Sequence, residues 1–108
     1  MNIDDFRTLV KNYTEDNITS DEPHVGIRCA ENGIDITEVK RHLLFENSKL
    51  IRLVEDRPKV YKLYYRLSRQ QELKIVIDLF TFQRINIRTV KRLMHKFKIK
   101  FLQRGQRF

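Results

Sequence analysis

The 108 residues suffice for one modest hydrophobic core and not for two, so a single domain over 1–108 is expected. The lone cysteine, Cys29, excludes an internal disulfide and a multi-cysteine metal centre and suits a reducing compartment. The net charge of +8 is polarised: residues 1–39 carry nine acids against three bases, residues 40–78 five against ten, and residues 79–108 nine bases with no acid after Asp78, a field that favours polyanions as partners.

Ile3, Phe6, Val10 and Tyr13 recur at three- and four-residue spacing, which predicts an amphipathic helix over residues 3–14 packed on the core. Asn17 to Glu22 reads as a polar connector. Ser20 or Asp21 can cap a second helix whose first turn holds Pro23, tolerated there because that nitrogen has no helical partner. This helix carries His24 and Arg28, one turn apart on one face, so an imidazole that titrates near neutrality lies beside a permanent guanidinium charge. Asn32-Gly33 supplies a left-handed stop, and Asp35 with Glu38 has the spacing of a capping box. A third helix follows from Ile36, with Ile36, Val39, Leu43 and Leu44 as its apolar stripe, and fades near Asn47-Ser48.

Past Lys49 the period shifts to 2 and the β-branched and aromatic content rises. Leu50 to Glu55 reads as a strand, Asp56-Arg57-Pro58 as a turn, and Val60 to Leu67 as a second strand. In that strand Tyr61, Leu63, Tyr65 and Leu67 face one way and Lys62, Tyr64 and Arg66 the other. Ser68 to Gln71 turns the chain into Glu72 to Phe82, apolar on much of both faces and therefore expected at the centre of the sheet. A fourth strand covers Ile85 to about Val90, and the alternation of Phe97-Lys-Ile-Lys-Phe101 predicts a fifth, at an edge defended by lysines and able to pair a homodimer. The class that follows is α+β: two to three N-terminal helices on one face of a four- to five-stranded antiparallel sheet, with residues 93–108 as a basic extension.

His24 is the candidate general base or acid, and Arg28 the cation for a phosphate. Arg66, Arg69 and Arg88 join them if the strands bring their outward faces near that helix, while Lys91, Arg92, Lys98 and Lys100 extend the positive field. Tyr64 or Tyr65 can stack on a base. The competing reading of His24 is a histidine that caps or packs at a helix end. His42 and His95 are expected to be structural or solvent-facing, His95 lacking a nearby carboxylate in the sequence, and Cys29 to be a packing residue. The histidine spacing matches no zinc pattern and the carboxylates form no paired motif, so neither metal nor cofactor is expected.

The pattern His24-x-x-x-Arg28-x-x-x-x-Gly33-Ile34-x-x-x-Glu38-Val39-x-x-x-Leu43, followed by strands leading to Ile87-Arg88-Thr89-Val90, resembles uncharacterised small domains grouped with the RelE- and BrnT-like toxins over residues 20–92. Asn32 stands where that family often carries arginine, and residues 93–108 lie beyond its pattern. The resemblance implies a compact RNase-type fold, in related families of which side chains from the sheet and neighbouring helices cut RNA, and a small acidic antitoxin as protein partner. No segment has the uncharged apolar length of a membrane helix and the N-terminus lacks a secretory pattern, so a soluble cytoplasmic protein is expected. Three functions remain in view: a toxin-like RNA-binding protein, with metal-independent endoribonuclease activity as its enzymatic form; a non-enzymatic nucleic-acid-binding or regulatory module; and an orphan interaction domain.

Overall fold

The computed structural model describes residues 1–81 and 83–95. Three helices, α1 (Ile3–Val10), α2 (His24–Glu31) and α3 (Ile36–Phe45), accompany five strands, β1 (Ile18–Ser20), β2 (Leu50–Arg57), β3 (Val60–Arg66), β4 (Gln71–Thr81) and β5 (Arg84–Met94). The strand order is β1-β5-β4-β3-β2, antiparallel throughout except that β1 runs parallel to β5. The expected α+β architecture is thus present, and no described helix is long and apolar enough to cross a membrane.

One face of the sheet carries the core. Leu63 and Tyr65 of β3, Leu73, Ile75 and Ile77 of β4, and Ile85, Ile87 and Val90 of β5 are buried against Phe6 and Val10 of α1, Val25 and Cys29 of α2, and Val39, Leu43 and Leu44 of α3. Each fully buried apolar side chain of this kind contributes about 1.5–3 kcal/mol. The opposite face is covered by no described element over Lys62, Tyr64, Arg66, Lys74, Val76 and Lys91, which stay half-buried or exposed, while Val60, Asp78 and Asn86 at its other end are buried. As expected, β4 is the central strand, but only one of its faces is dry.

Some details depart from the sequence reading. The first helix stops at Val10 because the next residues fold on themselves: Thr14 caps a 3₁₀ turn over Glu15–Asn17, and Asn17 Oδ1 accepts from the Thr14 N–H at 2.7 Å. The expected connector contains β1, whose Ile18, Thr19 and Ser20 pair with Ile85, Asn86 and Ile87, a contact across more than sixty residues that local periodicity does not encode. The fifth strand of the sheet is therefore β1, while the one expected over 97–101 lies outside the described residues. β5 also runs to Met94, so the sheet takes the first two residues of the expected extension.

Local chemistry sets the helix ends. Neither Ser20 nor Asp21 caps α2 with its side chain; Ser20 Oγ donates to Glu22 Oε1, and Glu22 Oε2 accepts from the Gly26 N–H. Gly33 adopts φ +62°, the left-handed stop expected there, and Asp35 caps α3 by accepting from the Thr37 N–H at 3.0 Å.

Candidate nucleic-acid interface

α2 lies along β5 beyond the point where β1 ends. Asp21 N donates to Ile87 O, closing the β1 pairing, and from there the edge of β5 is met by the helix. At the far end Asn32 Oδ1 accepts from the Arg92 N–H at 2.9 Å, and Arg92 Nη2 donates to Gly33 O at 3.1 Å. A helix placed so turns one flank of its surface toward the uncovered face of the sheet.

Between that flank and the sheet opens a cleft of about 480 Å³, lined by Arg28, Glu31 and Asn32 of the helix segment and by Lys74, Thr89, Val90 and Lys91 of β4 and β5. Lys74 and Lys91 are directly opposed in the β4–β5 register, so their β-carbons are about 5 Å apart on one face. Neither forms an ion pair among the described residues. Arg28 pairs with Glu31 at 2.9 Å but leaves about half of both side chains in solvent, where such a pair is worth at most about 1 kcal/mol and yields readily to a stronger anion.

His24 is not among the residues lining the cleft and reaches it only through Thr89, which is. Its exposed ring places Nε2 3.3 Å from Thr89 Oγ1. Thr89 reaches that position through a β-bulge: Ile87 pairs with Ile77 and Thr89 with Val76, so Arg88 and Thr89 together oppose one residue of β4, an arrangement that re-aims side chains. Arg88 is steadied by Asp78, whose Oδ1 lies 3.3 Å from Nη1. Asp78 is in turn held by Asn86, whose Nδ2 donates to Asp78 Oδ2 and Asp21 Oδ1, while Thr19 Oγ1 donates to Asn86 Oδ1. This network, buried at Asp78 and Asn86, fixes the β1 end of the outer face.

The remaining expected residues are scattered. Arg66 is exposed at the end of β3 and Arg69 in the β3–β4 turn. Arg92 occupies a core-side position opposite Leu73 and is committed to Gly33, with its buried Nε meeting no partner among the described residues. Lys98 and Lys100 lie outside the described residues. Lys74 is not among the expected residues: its place in the cleft follows from its pairing with Lys91, and the only local signal is the alternation of β4, which puts residue 74 on the face opposite Leu73 and Ile75. Tyr64 is on the outer face, whereas Tyr65 is wholly buried and donates to Asn47 Oδ1 at 3.0 Å.

Three further groups are structural. His42 is buried, its ring edge-on to Tyr65, with Nδ1 2.8 Å from Glu38 O. His95 has a carboxylate after all: its Nε2 pairs with Glu72, brought alongside by the β4–β5 ladder. Cys29 is buried, and desolvation, then the Glu22 and Asp35 carboxylates, push its thiol up from the ordinary range, the opposite of what a nucleophile requires. No group of histidine, cysteine and carboxylate side chains suited to a metal ion occurs among the described residues.

No family model matches the chain, and the search of curated proteins and of solved structures likewise found no match.

Proposed function

We propose that this chain is a toxin-like RNA-binding protein whose phosphate site is the cleft between α2 and the outer face of β4 and β5. The observation that carries the reading is the opposed Lys74–Lys91 pair facing Arg28 across the cleft. Like charges directly opposite one another on a sheet are destabilising, and a bound phosphate removes that cost. The basic composition after Asp78 supplies the long-range attraction that brings a polyanion there. The same field suits an acidic antitoxin segment, and a cytoplasmic setting fits the reduced, buried Cys29.

A second reading, metal-independent cleavage, is favoured by the His24 imidazole lying within 3.3 Å of Thr89 Oγ1, with Arg88 the next residue of the same bulge. In it the 2′-hydroxyl proton passes to the His24 imidazole as the 2′-oxygen bonds to phosphorus, the 5′-oxygen leaves with a proton from solvent, and Arg28 and Arg88 stabilise the crowded phosphate. The products are a 2′,3′-cyclic phosphate and a 5′-hydroxyl end.

Purified protein incubated with mixed RNA, with and without chelator, tests both. Binding should weaken steeply with salt, and the double variant Lys74→Glu/Lys91→Glu should lower the salt slope by about 1.4, two single-strand phosphate contacts. Salt-insensitive binding, or none, removes the proposal. Cleavage that persists in chelator and disappears in His24→Ala, with binding retained, establishes the nuclease; binding without cleavage establishes the non-enzymatic module.

A further inference from the structure

We infer that the outer face of the sheet carries a single-stranded segment crosswise, an unpaired base stacking on Tyr64 and Arg52 and the phosphates beside it seated at Lys74 and Lys91. This rests on the proposed RNA-binding reading and deepens it by naming the form of the ligand.

The register supplies the track. Arg52 of β2 pairs with Tyr64 of β3, Tyr64 with Lys74 of β4, and Lys74 with Lys91 of β5. Directly opposed residues share a face, so these four side chains form one row perpendicular to the strands. With strands about 4.8 Å apart the row spans about 14 Å, the length of a few nucleotides. It ends at the cleft where Arg28 stands.

The order of chemistry along the row is specific. At one end the Arg52 guanidinium carbon lies 3.9 Å from the centre of the Tyr64 ring, a cation–π stack of two planar groups. Tyr64 is only half-buried, and its neighbours in the next row are Val54, Lys62 and Val76, two of them apolar. With Arg52 lying over the ring, the surface offered to a base is the guanidinium plane backed by Tyr64, and unpaired RNA bases stack on guanidinium planes as well as on aromatic rings. At the other end the two opposed lysines offer point charges for phosphate, without carboxylate neutralisation among the described residues.

A duplex fits this surface poorly. Its bases are stacked on one another, so the Tyr64 platform has nothing to hold, and the cleft beyond Lys91 has the volume of a site for a small molecule, not for a nucleic-acid helix.

The experiment compares a fluorescein-labelled single-stranded RNA dodecamer with the same strand annealed to its complement, by anisotropy at one fixed salt concentration. The single strand should bind at least tenfold more tightly. Tyr64→Ala should lose about five- to a hundredfold for the single strand, the worth of one stacked base, and should leave the duplex unchanged; Tyr64→Phe should bind as the parent does. Because the chain has no tryptophan, Tyr64→Trp adds a direct reporter, whose fluorescence should be quenched by the unlabelled single strand. Equal affinity for both forms overturns the inference, as does a Tyr64→Trp signal that the single strand leaves unaltered. If Lys74→Glu/Lys91→Glu abolishes binding while Tyr64→Ala binds as the parent does, stacking is wrong and the RNA-binding reading stands. If the lysine reversals change nothing, both fall.

Discussion

Asn32 closes the exposed edge of β5 at Arg92: its Oδ1 accepts from the Arg92 backbone N–H at 2.9 Å while its Nδ2 donates to the Arg28 carbonyl at 2.8 Å. One side chain thus satisfies a strand-edge donor and a helix-end acceptor together, and ties the helix that bears His24 and Arg28 to the strand that bears Thr89 and Lys91. Asn32→Ala leaves the part-buried Arg92 N–H without its acceptor and should cost about 1–3 kcal/mol in urea denaturation. Asn32→Asp keeps the acceptor and should cost less. If the alanine variant is as stable as the parent, the edge is satisfied in another way.

In the proposed function the opposed lysines set stability against binding. Lys74→Met removes the repulsion with Lys91 and should raise stability by about 0.2–1 kcal/mol, while weakening RNA affinity. Thermal unfolding and anisotropy on the same sample check the pair of effects. A variant that loses stability and keeps its affinity contradicts the role given to Lys74.

Asn86 bridges two carboxylates. Asn86→Leu should leave Asp78, 8 % exposed, short of a donor and beside Asp21 without the amide between them, costing about 1–3 kcal/mol. Asp78→Asn in the same background should recover part of that loss, because the neutral amide no longer needs the missing donor. The double-mutant cycle measures the coupling.

Tyr65 ties folding to alkaline pH. Burial drives its hydroxyl well above the ordinary tyrosine range, and burial raises Tyr13 as well. The unfolded chain releases these protons near pH 10 and the folded one does not, so their contribution to stability is intact below that pH and declines above it. Denaturation midpoints should fall as pH rises past 10, and phenolate absorbance from Tyr65 should appear only with unfolding. Early, reversible ionisation of all four tyrosines in the folded protein would contradict its burial.

Cys29 should be inert in the folded state. Its buried, weakly acidic thiol is expected to react with a disulfide reagent at mild alkaline pH only at the rate of opening, and at once in denaturant. Fast native labelling would place the thiol at the surface.

Much of the fold could be read from the chain. The spacing of Phe6 and Val10, the Asn32-Gly33 stop, the Asp35 cap and the strict alternation of residues 60–67 are decided by neighbours three or four positions away at most, and such short-range preferences act wherever the chain is placed. They gave the three helices, the hairpins, the central position of β4 and the buried face.

Tertiary structure alone decided the rest. Ile18 to Ser20 are a strand only because β5 offers them an edge, and Arg88 with Thr89 point outward together only because β4 supplies one residue against two. Which cation opposes which is a matter of register, fixed by turns and by the burial of the other face. Residue order placed nine bases after Asp78; pairing of the strands set Lys74 against Lys91 and laid His24 beside Thr89, because cross-strand contacts join positions whose separation along the chain carries no local signal.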